Sequence, residues 1–262
     1  MTSKHCLNCG KKLVDTFCSG CGQKADTHRI TFKNFISHDL LHGTFHIEKG
    51  ILFTAKEALL RPGKAALDYI AGKRKRYYNV FYLILITIGL MLFIRHANEL
   101  FTDQSAEVAT EKVYLNEASR EFNELLAQKN KIIIFLFVPF AALNSFILFR
   151  RKKLNLSEHS IIAGMILLGV LLLSTFSHIL FLFKVVHQIG MVISLLTIAL
   201  IILYIGYGYF NAFSTDYSRT GIAYRIVLFF ALLCLEILIL LWILVGFFTN
   251  WEFGEIQITP FD

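Results

Sequence analysis

The run 226-IVLFFALLCLEILILLWILVGFF-248 decides the fold class. It carries one charged side chain, Glu236, and exceeds the about 20 helical residues needed to cross roughly 30 Å of hydrocarbon. Four further apolar runs lie upstream: 79-NVFYLILITIGLMLFI-94, 132-IIIFLFVPFAALNSFILF-149, 160-SIIAGMILLGVLLLSTFSHILFLF-183 and 189-IGMVISLLTIALIILYIGYGYF-210. The first is short, but Tyr77 and Tyr78 at one end and a snorkelling Arg95 at the other can extend it. The expected fold is an all-α multi-pass membrane protein with spans at about 79–95, 132–149, 160–183, 189–210 and 226–248. Four spans plus a re-entrant hairpin is the alternative. Of 262 residues, 55% are hydrophobic and 17% charged, below the about 25% charged of soluble domains. No cleavable signal peptide is read, because the first apolar run begins near residue 79 behind a polar, cysteine-rich segment.

Charge sets the expected orientation. Residues 1–80 hold 14 Lys/Arg against 6 Asp/Glu, and 150-RRKKLNLSE-158 holds four bases against one acid. Residues 95–131 hold five bases against seven acids, and 250-NWEFGEIQITPFD-262 holds three acids and no base. Because Lys and Arg gather on the cytoplasmic side, the N-terminus, the 150–158 connection and the Arg219/Arg225 loop are expected there. The acidic loop 96–131 and the C-terminus are expected outside. The net charge of +7 is thus read as topology, not as a nucleic-acid signal.

Residues 1–27 form a second unit around 6-CLNCGKKLVDTFCSGCGQ-23. Cys6, Cys9, Cys18 and Cys21 stand in two CxxCG knuckles, each presenting two thiolates from one tight turn. The glycine after each pair permits positive φ. Four thiolates close the shell of a structural Zn²⁺ and leave no position for chemistry. An iron centre of rubredoxin type uses the same knuckles in a larger fold, and two disulfides would need an oxidising compartment. A zinc ribbon this small depends on its metal for folding. Cys234, in the last run, reads as packing.

Between ribbon and membrane lies a neck, residues 28–78. Thr31 can cap one amphipathic helix, Pro62-Gly63 separates the next two, and Gly72 ends the last before Lys73, Arg74, Lys75 and Arg76. Such helices either lie in the interface with the basic cluster on anionic lipid head groups, or pack onto the cytoplasmic ends of the bundle. His38, His42 and His46 recur at i, i+4 and i+8, a stripe able to bind a second metal or carry protons if the helix runs through Gly43.

The order CxxCG…FCxxCGQ, Arg29, His46, Thr54, Leu60, Pro62-Gly63, then Gly72-Lys73-Arg74 and Tyr77, resembles a bacterial family of integral membrane proteins. That family carries a domain of unknown function behind a zinc ribbon. The resemblance covers about residues 5–85 and implies architecture and a bacterial inner membrane rather than an activity. Where the family has proline after the tyrosines this chain has Val80, so the start of the first span must be set otherwise.

Within the spans Glu236 and His178 are the ionisable residues to notice, with Ser174, Thr175 and Ser177 near the latter. Lys184 and His187 read as boundary residues. Pro139 with Asn144-Ser145 can kink the second span, and Gly206 and Gly208 allow close helix approach. No nucleotide-binding loop, HExxH, GxSxG or DxD pair occurs, which weighs against an enzyme. The favoured reading is a non-enzymatic membrane scaffold or regulator whose ribbon and basic neck bind a cytoplasmic protein partner or the anionic surface. The alternatives are a small ion-coupled transporter centred on Glu236, and a metal-dependent membrane or lipid enzyme using His38, His42 and His46. Homo-oligomerisation is left open.

Overall fold

The computed structural model describes residues 5–25, 27, 29–30, 50–102, 134–182, 189–248 and 251. Its helices are α1 (Gly50–Leu60), α2 (Pro62–Ile70), α3 (Val80–Thr102), α4 (Ile134–Leu148), α5 (Leu156–Leu180), α6 (Gly190–Phe213) and α7 (Arg219–Phe248), with a short 3₁₀ turn at Arg150–Lys152. Among the described residues there is no strand, only two isolated bridges within the cysteine-rich segment. Four helices contain segments long and apolar enough to cross a membrane: Val80–Asn98, Leu156–Leu180, Gly190–Phe213 and Arg219–Phe247. The first run, expected to be short, therefore lies in a helix of 23 residues, and the second has the shorter described helix, Ile134–Leu148.

Polar side chains mark the starts of α3 and α5. Asn79 Oδ1 accepts from the N–H groups of Phe81 and Tyr82 at 3.0 and 3.4 Å. This cap sets the start of α3 without a proline. Asn155 and Glu158 form a capping box on α5, each side chain accepting the other's backbone N–H at 2.9 and 2.8 Å.

Helix α5 is the centre of the bundle. Ile161, Ile162, Met165, Ile166 and Leu168 are fully buried, against α3 on one side and α1, α2 and α6 on the others. By contrast α6 and α7 present Leu195, Leu196, Leu203, Val227, Leu238 and Trp242 outward. An apolar face of that extent suits hydrocarbon, where every backbone polar group must also find an internal partner. Cys234 is exposed on α7 instead of packing in the core.

The neck packs onto the bundle. Thr54, Glu57 and Ala58 form the buried face of α1, and Pro62, Ala65, Ala66 and Tyr69 that of α2. The break between them is closed by one stripe of α6. The Tyr204 hydroxyl donates to the Ala58 carbonyl, the Tyr207 hydroxyl to that of Leu60 at 2.8 Å, and Asn211 Oδ1 accepts from the Lys64 N–H at 2.8 Å. Those are the carbonyls and N–H groups that a helix end leaves without intrahelical partners. Tyr204, Tyr207, Gly208 and Asn211 fall at i, i+3, i+4 and i+7, one helical face. A Cβ on Gly63 would lie 2.4 Å from both Ala212 N and Gly208 O. Tyr204 stands nine residues before the end of α6, so the break sits about 13 Å along that helix.

Candidate metal centre and its docking face

Each knuckle of the ribbon is a tight turn. Gly10 and Gly22, at φ +76° and +71°, donate their N–H to the carbonyls of Cys6 and Cys18 at 2.8 Å. Only glycine holds that backbone without strain, which is why CxxC is followed by Gly twice. The turns bring the Cys6 and Cys21 sulfurs to 3.6 Å and those of Cys9 and Cys18 to 3.5 Å, with all four within 4.8 Å of one another. Sulfurs placed tetrahedrally at about 2.3 Å from one ion are about 3.8 Å apart, so the four could hold a metal ion. The backbone N–H groups of Gly20 and Cys21 push the Cys18 thiol down to about 6, whereas the neighbouring Cys9 thiol is pushed up to about 11, so Cys18 is the readier of the two to give a metal its thiolate.

The ribbon is docked, not dangling. Gln23, buried, donates from Nε2 to the Gly72 carbonyl at 2.8 Å and accepts the Lys75 N–H on Oε1 at 3.2 Å. Leu7 leans on Gly72 from the first knuckle, so closely that a Cβ there would lie 2.6 Å from Leu7 Cδ1. Beyond the second knuckle, Arg29 donates to both oxygens of Glu158 at 2.8 Å and to the Lys153 carbonyl at 2.9 Å. Asn155 Nδ2 donates to the Ile30 carbonyl at 2.7 Å. The capping box of α5 is therefore also the receptor for the segment that follows the ribbon.

The basic segment Lys73–Arg76 lies in the loop between α2 and α3 and is partly neutralised by Asp68, which takes Lys73 Nζ at 2.6 Å and Arg76 Nη2 at 3.0 Å. The Arg76 guanidinium stacks over Phe53 and Tyr77 at 5.8 and 5.4 Å, and that of Arg74 over Tyr69 at 5.7 Å. Burial, with Asp68 nearby, pushes the Tyr77 hydroxyl up to about 12. Glu57 pairs with Arg61 at the break between α1 and α2.

His38, His42 and His46 lie outside the described residues, as do Lys184, His187 and most of the 96–131 loop. Glu236 accepts a hydrogen bond from Asn144 Nδ2 at 2.9 Å. One residue on, Ser145 meets Nδ1 of the buried His159 at 2.8 Å. At His178 the backbone carbonyl accepts from Asn98 at 2.9 Å. Sequence reasoning did not single out Asp68, Glu158, His159 or the docking role of Gln23. Only the α6 stripe had a readable signal, its helical spacing.

No curated protein and no solved structure matches this chain. Residues 48–92, which take in α1, α2, the basic loop and the first half of α3, match the model of a family described as Protein of unknown function (DUF3667).

Proposed function

We propose that this protein is a non-enzymatic scaffold or regulator of a bacterial inner membrane, with about five spans and with its ribbon and basic neck in the cytoplasm. The observation that supports this most is the Gln23 clamp on Gly72 and Lys75, which makes the ribbon and the basic loop one unit. Metal loading of the ribbon then decides where the cations of Lys73–Arg76 are held, at about 1 kcal/mol per basic residue near an anionic surface. Zinc is the proposed ion, because a closed set of four thiolates suits a structural site and the positive-inside rule puts the ribbon in a reducing compartment. Val14 and Phe17, exposed on the ribbon, offer a protein partner an apolar foothold.

The test is hydrogen exchange across residues 68–78 in nanodiscs, with and without chelator, beside Cys18→Ser and Gln23→Ala. Chelation and either substitution should deprotect the loop. Protection that survives metal removal would sink the coupling.

A second reading is a small ion-coupled transporter, and the Asn144–Glu236 hydrogen bond within the membrane-spanning region favours it. Flux in proteoliposomes that disappears in Glu236→Gln would put this reading first.

A further inference from the structure

The segment 150-RRKK-153 divides its four cations. Arg151 donates to the Asp216 carbonyl at 2.7 Å and stacks over Tyr217 at 4.7 Å, and Lys152 pairs with the Asp216 carboxylate at 2.9 Å. These two tie the turn to the connection between α6 and α7. Arg150 and Lys153 go elsewhere. With Phe146 and Leu154 they line an open cavity of about 400 Å³ at the end of α4. Among the described residues neither cation meets a carboxylate; Arg150 Nε folds back onto the Ile147 carbonyl at 3.1 Å, leaving its terminal nitrogens free to bind. Lys153 takes φ +52°, and this left-handed residue ends the 3₁₀ turn between the two cations.

We infer that this cavity binds one anionic phospholipid, its phosphate held between Arg150 and Lys153 and the first part of its acyl chains on Phe146 and Leu154. Three observations choose that occupant. Two of the four lining residues are cationic and two apolar, which matches a ligand that joins a phosphate to hydrocarbon. Phe146, one wall of the cavity, shares a helical face of α4 with Leu143 and Ile147, all three exposed, so a chain passing over Phe146 meets further apolar surface. Phe146 is held edge-on by the buried His159 at 5.8 Å, which fixes the apolar wall before anything binds. A soluble phosphate would use the cations and leave that wall wet. The site is separate from the Lys73–Arg76 loop, although the Lys153 carbonyl also accepts from Arg29 at 2.9 Å.

The experiment is native mass spectrometry of the full-length, metal-loaded protein in detergent, titrated with dioleoylphosphatidylglycerol or dioleoylphosphatidylcholine. The anionic lipid should bind as a single high-affinity adduct, about thirty-fold tighter than the zwitterionic one, whose phosphate charge is cancelled by its own quaternary ammonium; the factor is the worth of two cations beside a net negative head group. Arg150→Gln/Lys153→Gln should bring it to the zwitterionic level, whereas Lys73→Gln/Lys75→Gln should leave that adduct in place. Should the double variant not fold, Lys153→Gln alone carries the test, because its ammonium has no partner among the described residues. Equal affinity for the two lipids, binding unchanged in the variants, or displacement of the lipid by millimolar inorganic phosphate would each overturn the assignment.

Discussion

The guanidinium of Arg29 lies side by side with the carboxylate of Glu158, two hydrogen bonds of 2.8 Å joining residues 129 apart in sequence. The pair is asymmetric. The Glu158 side chain is 3% exposed and that of Arg29 58% exposed, so losing the arginine leaves a buried charge with, among the described residues, only the Asn155 N–H, while losing the glutamate frees a solvated cation. Arg29→Ala should therefore lower stability in detergent by about 2 kcal/mol, discounted for the exposed partner. Glu158→Gln should cost less, and the double change little more than Arg29→Ala alone. Thermal melts of the three variants form the cycle that checks this.

Gly63 and Gly89 make opposite predictions for the same substitution. Alanine at 63 would drive a methyl into the backbone of α6 at Gly208 and Ala212, where nothing flexible can yield. Gly63→Ala should destabilise by about 2 kcal/mol or more. Nothing lies within 4 Å of a Cβ on Gly89, so Gly89→Ala should raise stability by up to about 1 kcal/mol through helix propensity alone. Melting temperatures moving in the same direction would contradict the packing described for the neck.

Tyr77 gives a pH dependence with a definite sign. Its hydroxyl is pushed up from an ordinary value of 10 to about 12, chiefly by burial, so the folded protein prefers the neutral phenol. The stability this contributes is fully present below pH 10 and is lost as pH rises from 10 towards 12. Tyr77→Phe should lose less stability than wild type across that window, with the two curves parallel at neutral pH. Chemical denaturation at a series of pH values reads the difference.

Asn144 is 2% exposed and its amide is satisfied by Glu236. Glu236→Gln keeps a carbonyl acceptor at that place and should leave stability within about 0.5 kcal/mol of wild type. Asn144→Leu removes the one partner the carboxylate has among the described residues and should cost more, about 1–3 kcal/mol. Equal losses would mean that the carboxylate is satisfied by some other group.

Length and apolarity made the long apolar helices legible, because a run such as 226–248 is continuous enough to cross a membrane as one helix. The two knuckles were legible for a similar reason: Cys-x-x-Cys-Gly states its turn geometry locally. The neck was not, because its helices are shaped by residues far away. Pro62-Gly63 announces a break, but only the face formed by Tyr204, Tyr207 and Asn211 reveals that the break is capped from another helix. Glu158 reads as an ordinary capping residue until Arg29 arrives, and Asp68 as one surface acid until Lys73 and Arg76 close on it. In each case the second partner is set by tertiary packing, which carries no local pattern. Gly208 met the expectation of close helix contact, a Cβ there falling 2.7 Å from Ile166, while at Gly206 the nearest contact would be an ordinary 3.5 Å.

The docking of the ribbon imposes a timetable on biosynthesis. Its sulfurs are all translated by residue 21, but its receptors come later and in two instalments: Gly72, 49 residues after Gln23, and Glu158, 129 residues after Arg29. At 5–20 residues per second the second arrives on the order of ten seconds after the first contact residue. During that interval the ribbon can take its metal and grip the basic loop, but the start of α5 has yet to be made. A segment translated ahead of both its receptors is thus among the last to reach its final place.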